Sequence, residues 1–306
     1  MRKLGAVDIG SNSIRLLIAG IEGGRIVESF KTLEMVRIGK YEGPVRRLSE
    51  EAIERSMDVL RKFMETARKE GIAKLSMIAT SAVRESENGN ELVERVDREL
   101  GQHVEVVTGK REAELGFLGV LAGLEQKDEN ILVADVGGGS TELILGNSQD
   151  IQYIVSLNVG CVQLTDIFGT RDRIEASKLK EMAKKVDHTL YDAIGDLKKF
   201  QIDRVIGIGG TITTLASVVQ KLETYDPKRI HQFRLTHRQI QDCLSQFSEK
   251  NLEERKQMVG MYPKRADVIT AGTVIFDRLL ALLGKDEMAV SEYDNLEGLI
   301  FEQLQA

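Results

Sequence analysis

Val7-Asp8-Ile9-Gly10-Ser11-Asn12-Ser13-Ile14-Arg15-Leu16-Leu17-Ile18, near the start of the chain, returns as Ala134-Asp135-Val136-Gly137-Gly138-Gly139-Ser140-Thr141-Glu142-Leu143-Ile144-Leu145. Both stretches run apolar strand, terminal Asp, small-residue turn carrying Ser, and apolar strand, in the same order. Gly, Asn and Ser in the turns suit tight connections between antiparallel strands. Two unrelated hairpins are the bland alternative, and the repeated order weighs against them. An internal duplication is the natural reading, with one motif in each of two similar domains.

The flanks of each copy read as alternating strands and helices. Around the first, residues 4–8 and 14–18 are strands. Ser49, followed by Glu50 and Glu51, is an N-cap candidate for a helix reaching Gly71, with Ile53, Met57, Leu60, Met64 and Ala67 at helical spacing. Residues 74–80 read as a strand, 90–100 as a helix closed by Gly101, and 104–107 as a short strand. A second block opens near Asn130, after the polar stretch 126–129. There, residues 204–208 predict a strand that passes through Gly209-Gly210-Thr211 into a helix over 213–220. Residues 265–283 are apolar on nearly every face and predict a buried helix. Residues 288–291 predict a last strand and 295–303 a closing helix. The lysine- and acid-rich segment 175–200 reads as a solvated surface helix. Such alternation places the chain in the α/β class.

Composition narrows the function. The chain has 306 residues, 42% hydrophobic and 29% charged, with only 3 prolines, enough to bury the cores of two domains. No apolar run approaches the roughly 18 residues of a membrane span. Asp8 interrupts the N-terminus before a signal-peptide apolar region develops, so no leader is expected. Cys161 and Cys243 make no CxxC or Cys/His spacing, which argues against a disulfide framework or a zinc site and for a reducing cytoplasm. A net charge of −6 does not suit a general nucleic-acid binder, so any polyanion must be met by a local site.

Three Gly-rich turns supply such a site: residues 10–13, 137–141 and 209–211. Glycine lets the backbone approach an anion, and successive N–H groups form a nest for phosphate oxygens. None is a Walker A loop, and Gly207-Ile208-Gly209-Gly210 lacks the third glycine of a dinucleotide fingerprint. One Gly-rich turn is a weak signal; two copies of Asp-x-Gly-x-x-Ser with a third Gly-Gly-Thr are far more specific. Asp8 and Asp135 each close an apolar strand, where an unpaired carboxylate is costly to bury. As a repeated pair they are expected to hold Mg²⁺ or Mn²⁺ beside the phosphates, directly or through water. A structural Asp bonding the turn amides is the alternative for each.

In these motifs the chain resembles the exopolyphosphatase/guanosine pentaphosphate phosphatase (Ppx/GppA) family of the actin-like, sugar-kinase and heat-shock-ATPase superfamily. The matching stretches are Asp8 to Arg15, Thr80-Ser81-Ala82-Val83-Arg84, Thr108-Gly109-Lys110-Arg111-Glu112-Ala113 and Asp135 to Glu142. They continue through Ser156 to Gly160, Gly207-Ile208-Gly209-Gly210-Thr211, His231 with Leu235-Thr236, Glu254-Arg255 and Arg265-Ala266-Asp267. Two departures stand out. Arg111 precedes Glu112 where the family usually carries a second acid, and Leu296 stands where the family usually has Arg.

The resemblance implies two duplicated ribonuclease-H-like domains, 1–124 and 125–306, with an interdomain cleft and a last helix that packs back on the first domain. It implies hydrolysis of a terminal phosphoanhydride with Glu112 as base and Glu142 orienting the water or the metal. Asp8, Asp135 and Glu142 would hold the metal. Ser11, Asn12, Ser13, Gly137, Gly138, Gly139, Ser140, Thr141, Gly209, Gly210 and Thr211 would hold phosphate, and Arg15, Arg84 and Arg265 would clamp distal phosphates. Glu112, in the first turns of a predicted helix, is also favourably placed by the helix dipole for an ionised base. For any one of these arginines a surface ion pair is the competing reading, and for Glu112 an ordinary helix-start acid. The implied partners are inorganic polyphosphate or guanosine pentaphosphate and tetraphosphate, with a homodimer as an option and neither nucleic acid nor membrane. Exopolyphosphatase is the leading expectation and guanosine pentaphosphate 5′-phosphohydrolase the alternative. A superfamily small-molecule kinase, or an actin-like nucleotide switch, leaves the segment around Glu112 unexplained.

Overall fold

In the computed structural model, which describes residues 1–39, 46–125 and 128–305, the first copy of the duplicated stretch folds as the antiparallel strands β1 (Arg2–Ile9) and β2 (Ser13–Glu22). A turn at Gly23 and Gly24, both at positive φ, leads into β3 (Arg25–Met35) on the free edge of β2. β3 was not expected. It is a largely exposed edge strand whose charged and apolar residues mix, so it carries no clean period-2 signal.

The rest of this unit follows its caps. Ser49 accepts from the Ala52 N–H and starts α1 (Glu50–Lys69), which buries a stripe from Ile53 through Met64 to Ala67. β4 (Ser76–Ala79), α2 (Ser81–Arg84), α3 (Gly89–Leu100), β5 (Val104–Val106) and α4 (Gly109–Ala122) complete the order. Gly101 closes α3 at φ 64°, a left-handed conformation that glycine adopts without strain. Among the described residues the sheet has five strands in the order β3-β2-β1-β4-β5, with β4 parallel to both β1 and β5.

The second copy repeats the meander as β6 (Ile131–Val136), β7 (Thr141–Gly146) and β8 (Ile151–Leu157). The repetition extends to irregularities: the β2–β3 register shifts at Gly20/Ile21 and the β7–β8 register at Leu145/Gly146. Then come α5 (Cys161–Phe168), α6 (Ala176–Leu197), β9 (Arg204–Ile208), α7 (Gly210–Val219), α8 (Pro227–Ile230) and β10 (Arg234–Thr236). α9 (His237–Glu249), α10 (Leu252–Lys256), a 3₁₀ turn at Pro263–Arg265, α11 (Ile269–Leu283) and β11 (Glu287–Val290) follow. The sheet order is β10-β11-β9-β6-β7-β8 among the described residues.

Three details differ from the sequence reading. α11 starts at Ile269 rather than at Arg265, because Pro263 opens a separate turn in which the Arg265 N–H bonds the Tyr262 carbonyl at 2.8 Å. α7 starts at Gly210, so the Gly-Gly-Thr turn is itself the helix N-terminus. α6 is not wholly solvated; Met182, Val186, Leu190 and Ile194 form a buried stripe along it.

The chain divides into one unit of Met1–Ala122 with Asn295–Ala306 and another of Gly123–Asp294. Gln126 and Lys127, part of the polar stretch expected before the second block, lie outside the described residues. The closing helix α12 (Asn295–Gln305) belongs to the first unit, where Leu296, Leu299 and Ile300 pack against Leu4, Ala6, Leu17 and Leu115. Leu296, one of the two departures, is therefore a core residue. At Gly298 the helices α12 and α4 approach so closely that a Cβ would lie 2.0 Å from the Leu115 carbonyl oxygen. Gly298→Ala is expected to destabilise the first unit by about 1–3 kcal/mol through overpacking. Its urea midpoint measures this; an unshifted midpoint would show that the helices separate freely.

Candidate active site

The predicted residues fall on both units, and each set is described by itself. In the first unit, the Gly10 N–H bonds the Ser13 carbonyl at 3.0 Å and closes the turn. The Ser11 carbonyl accepts from Gly39 N at 2.9 Å, and the Asn12 carbonyl from Val36 N and Arg37 N at 3.1 and 2.9 Å. With those carbonyls tied back, the N–H groups of Ser11 and Asn12 stay outside the backbone network among the described residues. The buried Asn12 Nδ2 likewise meets no acceptor there. A turn of unmatched donors is the chemistry an anion requires.

α2 links this turn to Glu112. Its first residue, Ser81, shares a hydrogen bond with Ser11 at 2.9 Å between hydroxyls. Its last, Arg84, donates from Nη1 to the Val107 carbonyl at 2.8 Å and to Glu112 Oε2 at 3.1 Å. Glu112 itself is buried in the first turn of α4, where Thr108 caps the helix by accepting from Arg111 N at 3.2 Å. Arg111, the other departure, turns to Glu302 on α12 at 2.6 Å, and that hydrogen bond raises its pKa. Arg84 is thus a cationic neighbour of Glu112. Asp8 and Arg15 are direct cross-strand partners joined by an ion pair, with Nε donating to Oδ2 at 3.1 Å.

In the second unit, the Gly137 N–H bonds the Ser140 carbonyl at 3.0 Å, the same closure as in the first copy. The carbonyls of Gly137 and Gly138 accept from Cys161 N and Val162 N, both at 2.9 Å, at the N-terminus of α5. Contact there is backbone on backbone: a Cβ on Gly160 would lie 2.3 Å from the Gly138 carbonyl oxygen. The N–H groups of Gly138, Gly139 and Ser140 stay outside the backbone network among the described residues. The Thr141 hydroxyl is engaged otherwise, donating to the Val159 carbonyl at 2.6 Å.

The third turn joins this set. Gly209, at φ 85°, sits so close to Asp135 that a Cβ would lie 2.9 Å from Oδ1. The Arg265 guanidinium lies on Gly210, with Cζ 1.9 Å from the place of a Cβ there, and Thr211 packs against Gly272. Asp135 lies directly across the β6–β7 ladder from Glu142, whose Oε1 accepts from the Ser156 hydroxyl at 2.6 Å.

At one register position the two copies carry opposite charges. Arg15 faces Asp8 in the first unit, and Glu142 takes the same place facing Asp135 in the second. Asp8 is ion-paired with Arg15, whereas Asp135 stands directly opposite a second carboxylate, and like charges so placed repel. Mg²⁺ is commonly held by one or two carboxylates plus substrate phosphates and water, and the Asp135–Glu142 pair fits that donor set. Among the described residues no cluster of three or more His, Cys, Asp or Glu is arranged to hold a metal. Cys161 and Cys243 are free and buried, and burial pushes both thiols up to about 11. Neither is a nucleophile. His231 bridges Gly123 O through Nε2 and Glu292 N through Nδ1, both at 3.3 Å.

The sequence reading gave no role to Ser81, Ser156 and Gly160, which contact the predicted residues here. They lay inside motif matches, but their contacts cross between strands and helices whose pairing the sequence does not display. Among the described residues no helix is long and apolar enough to cross a membrane.

A sequence model of the Ppx/GppA phosphatase family matches residues 17–306. The chain is 39% identical, over 97% of its length, to a bifunctional 3-dehydroquinate synthase/phosphatase of Fusobacterium nucleatum, but spans only 46% of that relative. It is 30% identical to exopolyphosphatase 2 of Mycobacterium tuberculosis, covering 98% of each chain. To a guanosine-5′-triphosphate,3′-diphosphate pyrophosphatase of Aeromonas hydrophila it is 27% identical, over 97% of this chain and 58% of the relative. The solved structure of the Aquifex aeolicus Ppx/GppA family member superimposes with a TM-score of 0.84 at 32% identity, over 99% of this chain and 97% of that one.

Proposed function

The chain belongs to the Ppx/GppA phosphatase family, and from that premise we propose that it is an exopolyphosphatase, hydrolysing the terminal phosphoanhydride of inorganic polyphosphate. The observation that carries this reading is the repeated turn: in both copies the carbonyls are tied back and the N–H groups left over, a cradle for phosphate oxygens. Polyphosphate is preferred as substrate because the relative that matches end to end is named an exopolyphosphatase, whereas the chain spans 58% of the guanosine-directed one.

Glu112 takes a proton from the attacking water as its oxygen bonds the terminal phosphorus. The bridging P–O bond breaks, the shortened chain leaves on its oxygen, and orthophosphate is released. Within the first unit Ser11 and Asn12 offer donors for phosphate oxygens; within the second, Gly138, Gly139 and Ser140 do so, and there Arg265 would meet a phosphate by its planar fork. Asp135 and Glu142 would hold Mg²⁺ or Mn²⁺, which supplies charge neutralisation at the phosphates when bound. Arg15 acts on Asp8, masking a negative charge beside amides that an anion must approach.

Phosphate release from long-chain polyphosphate, guanosine pentaphosphate and ATP, compared side by side, tests the reading. Polyphosphate is expected to give the highest kcat/KM. A clear preference for guanosine pentaphosphate would establish the 5′-phosphohydrolase alternative, and a preference for ATP would overturn both. Arg265→Ala is expected to weaken polyphosphate binding by about 1.5–3 kcal/mol, the scale of a charged hydrogen-bonded contact. An unchanged value would put the clamp elsewhere.

A further inference from the structure

The largest fully buried side chain among the described residues is a charged one, Arg255 on α10, at 0% exposure. Each of its five N–H groups has an acceptor. Nη1 donates to the Ala266 carbonyl and the Thr270 hydroxyl, both at 2.9 Å. Nη2 donates to the carbonyls of Thr170 at 2.7 Å and Asp172 at 3.2 Å, and Nε to the Asn251 carbonyl at 3.4 Å. A buried cation is a poor device for stability alone, since an apolar side chain of similar volume commonly serves as well. What the planar fork provides is direction, which neither an apolar residue nor a lysine reproduces.

The acceptors lie on segments that carry the site. Ala266 directly follows Arg265, and Thr270 lies in the first turn of α11 behind it. Thr170 follows the C-cap of α5, the helix whose N-terminal amides hold the Gly137 and Gly138 carbonyls. The Thr170 hydroxyl also reaches the Asp267 carbonyl at 3.4 Å, closing the link a second time. Arg265 in turn lies on Gly210. We propose that Arg255 is a positioning residue for phosphate binding, fixing the Arg265 turn relative to α5 and hence to the Gly137-Gly138-Gly139 turn. This rests on the reading of Arg265 as a phosphate contact.

The test uses Arg255→Lys in the full chain, with polyphosphate kinetics, amide hydrogen exchange and thermal midpoint read together. kcat/KM is expected to fall about 10- to 100-fold, the scale of a misplaced binding group. The fall should lie mainly in KM. The amides of Arg265, Ala266 and Val268, which close the 3₁₀ turn, should exchange at least about 10-fold faster while those of β6 and β9 do not. Combined with Arg265→Ala, the change should add no further loss in kcat/KM. Multiplying losses in the double variant, or wild-type kinetics and exchange with only a lowered midpoint, would overturn the proposal. If Arg255→Lys does not fold, Thr270→Val removes one acceptor and should show the same pattern at smaller scale; no change there counts against it. If Arg265→Ala itself leaves turnover intact, the phosphate role of Arg265 falls, while the exchange pattern still decides whether Arg255 fixes the turn.

Discussion

Glu112→Gln loses about 10²- to 10⁴-fold in kcat while polyphosphate binding stays close to wild type, the expected signature of a lost general base. Glutamine keeps the shape of the side chain and an oxygen that accepts from Arg84, so the α2–α4 contact survives. Binding of polyphosphate by calorimetry, beside phosphate release, separates the two effects. Near-normal hydrolysis would remove Glu112 from the chemistry. No adjacent carboxylate should rescue the variant, because the preceding residue is Arg111 and its guanidinium is committed to Glu302. A parallel loss of binding would instead make Glu112 a support for Arg84 and the Ser11 turn, which α2 connects.

The second large effect concerns the carboxylate pair of the second unit. Chelator is expected to abolish turnover, with Mg²⁺ or Mn²⁺ restoring it, since oxygen donors suit hard cations. Asp135→Asn and Glu142→Gln should each raise the Mg²⁺ concentration for half-maximal activity by two orders of magnitude or more, roughly, as ligand losses exceed the 10- to 100-fold typical of outer partners. Ser156→Ala, which removes the hydroxyl that orients Glu142, should fall within that 10- to 100-fold range. Asp8→Asn should move the metal requirement far less, because Asp8 is matched by Arg15 across the ladder. A metal titration of the four variants checks this. Full activity in excess chelator would sink the metal assignment, and an equal shift for Asp8→Asn would return Asp8 to the metal.

Much of this was legible in the sequence because the forces involved are local. Turn chemistry at Gly10 to Ser13 and Gly137 to Ser140, the Ser49 cap and the glycine closing α3 each act within a few residues, and apolar periodicity marked α1. The duplication needed only the chain compared with itself. Strands β3 and β8 escaped because they lie at sheet edges, half exposed, where no single face imposes a period.

The sequence by itself determined the α/β repeat, the three Gly-rich turns and the family. Only the tertiary structure decided which charges meet. Strand register set Arg15 against Asp8 and Glu142 against Asp135, so the same register position carries an ion pair in one copy and two carboxylates in the other. Packing brought Arg84 to Glu112, Arg265 onto Gly210, Ser156 to Glu142 and α12 back to α4. The physical reason is range. Turn and cap energies are set by neighbours along the chain, whereas a buried charge takes whichever partner the folding of distant segments places within hydrogen-bond reach.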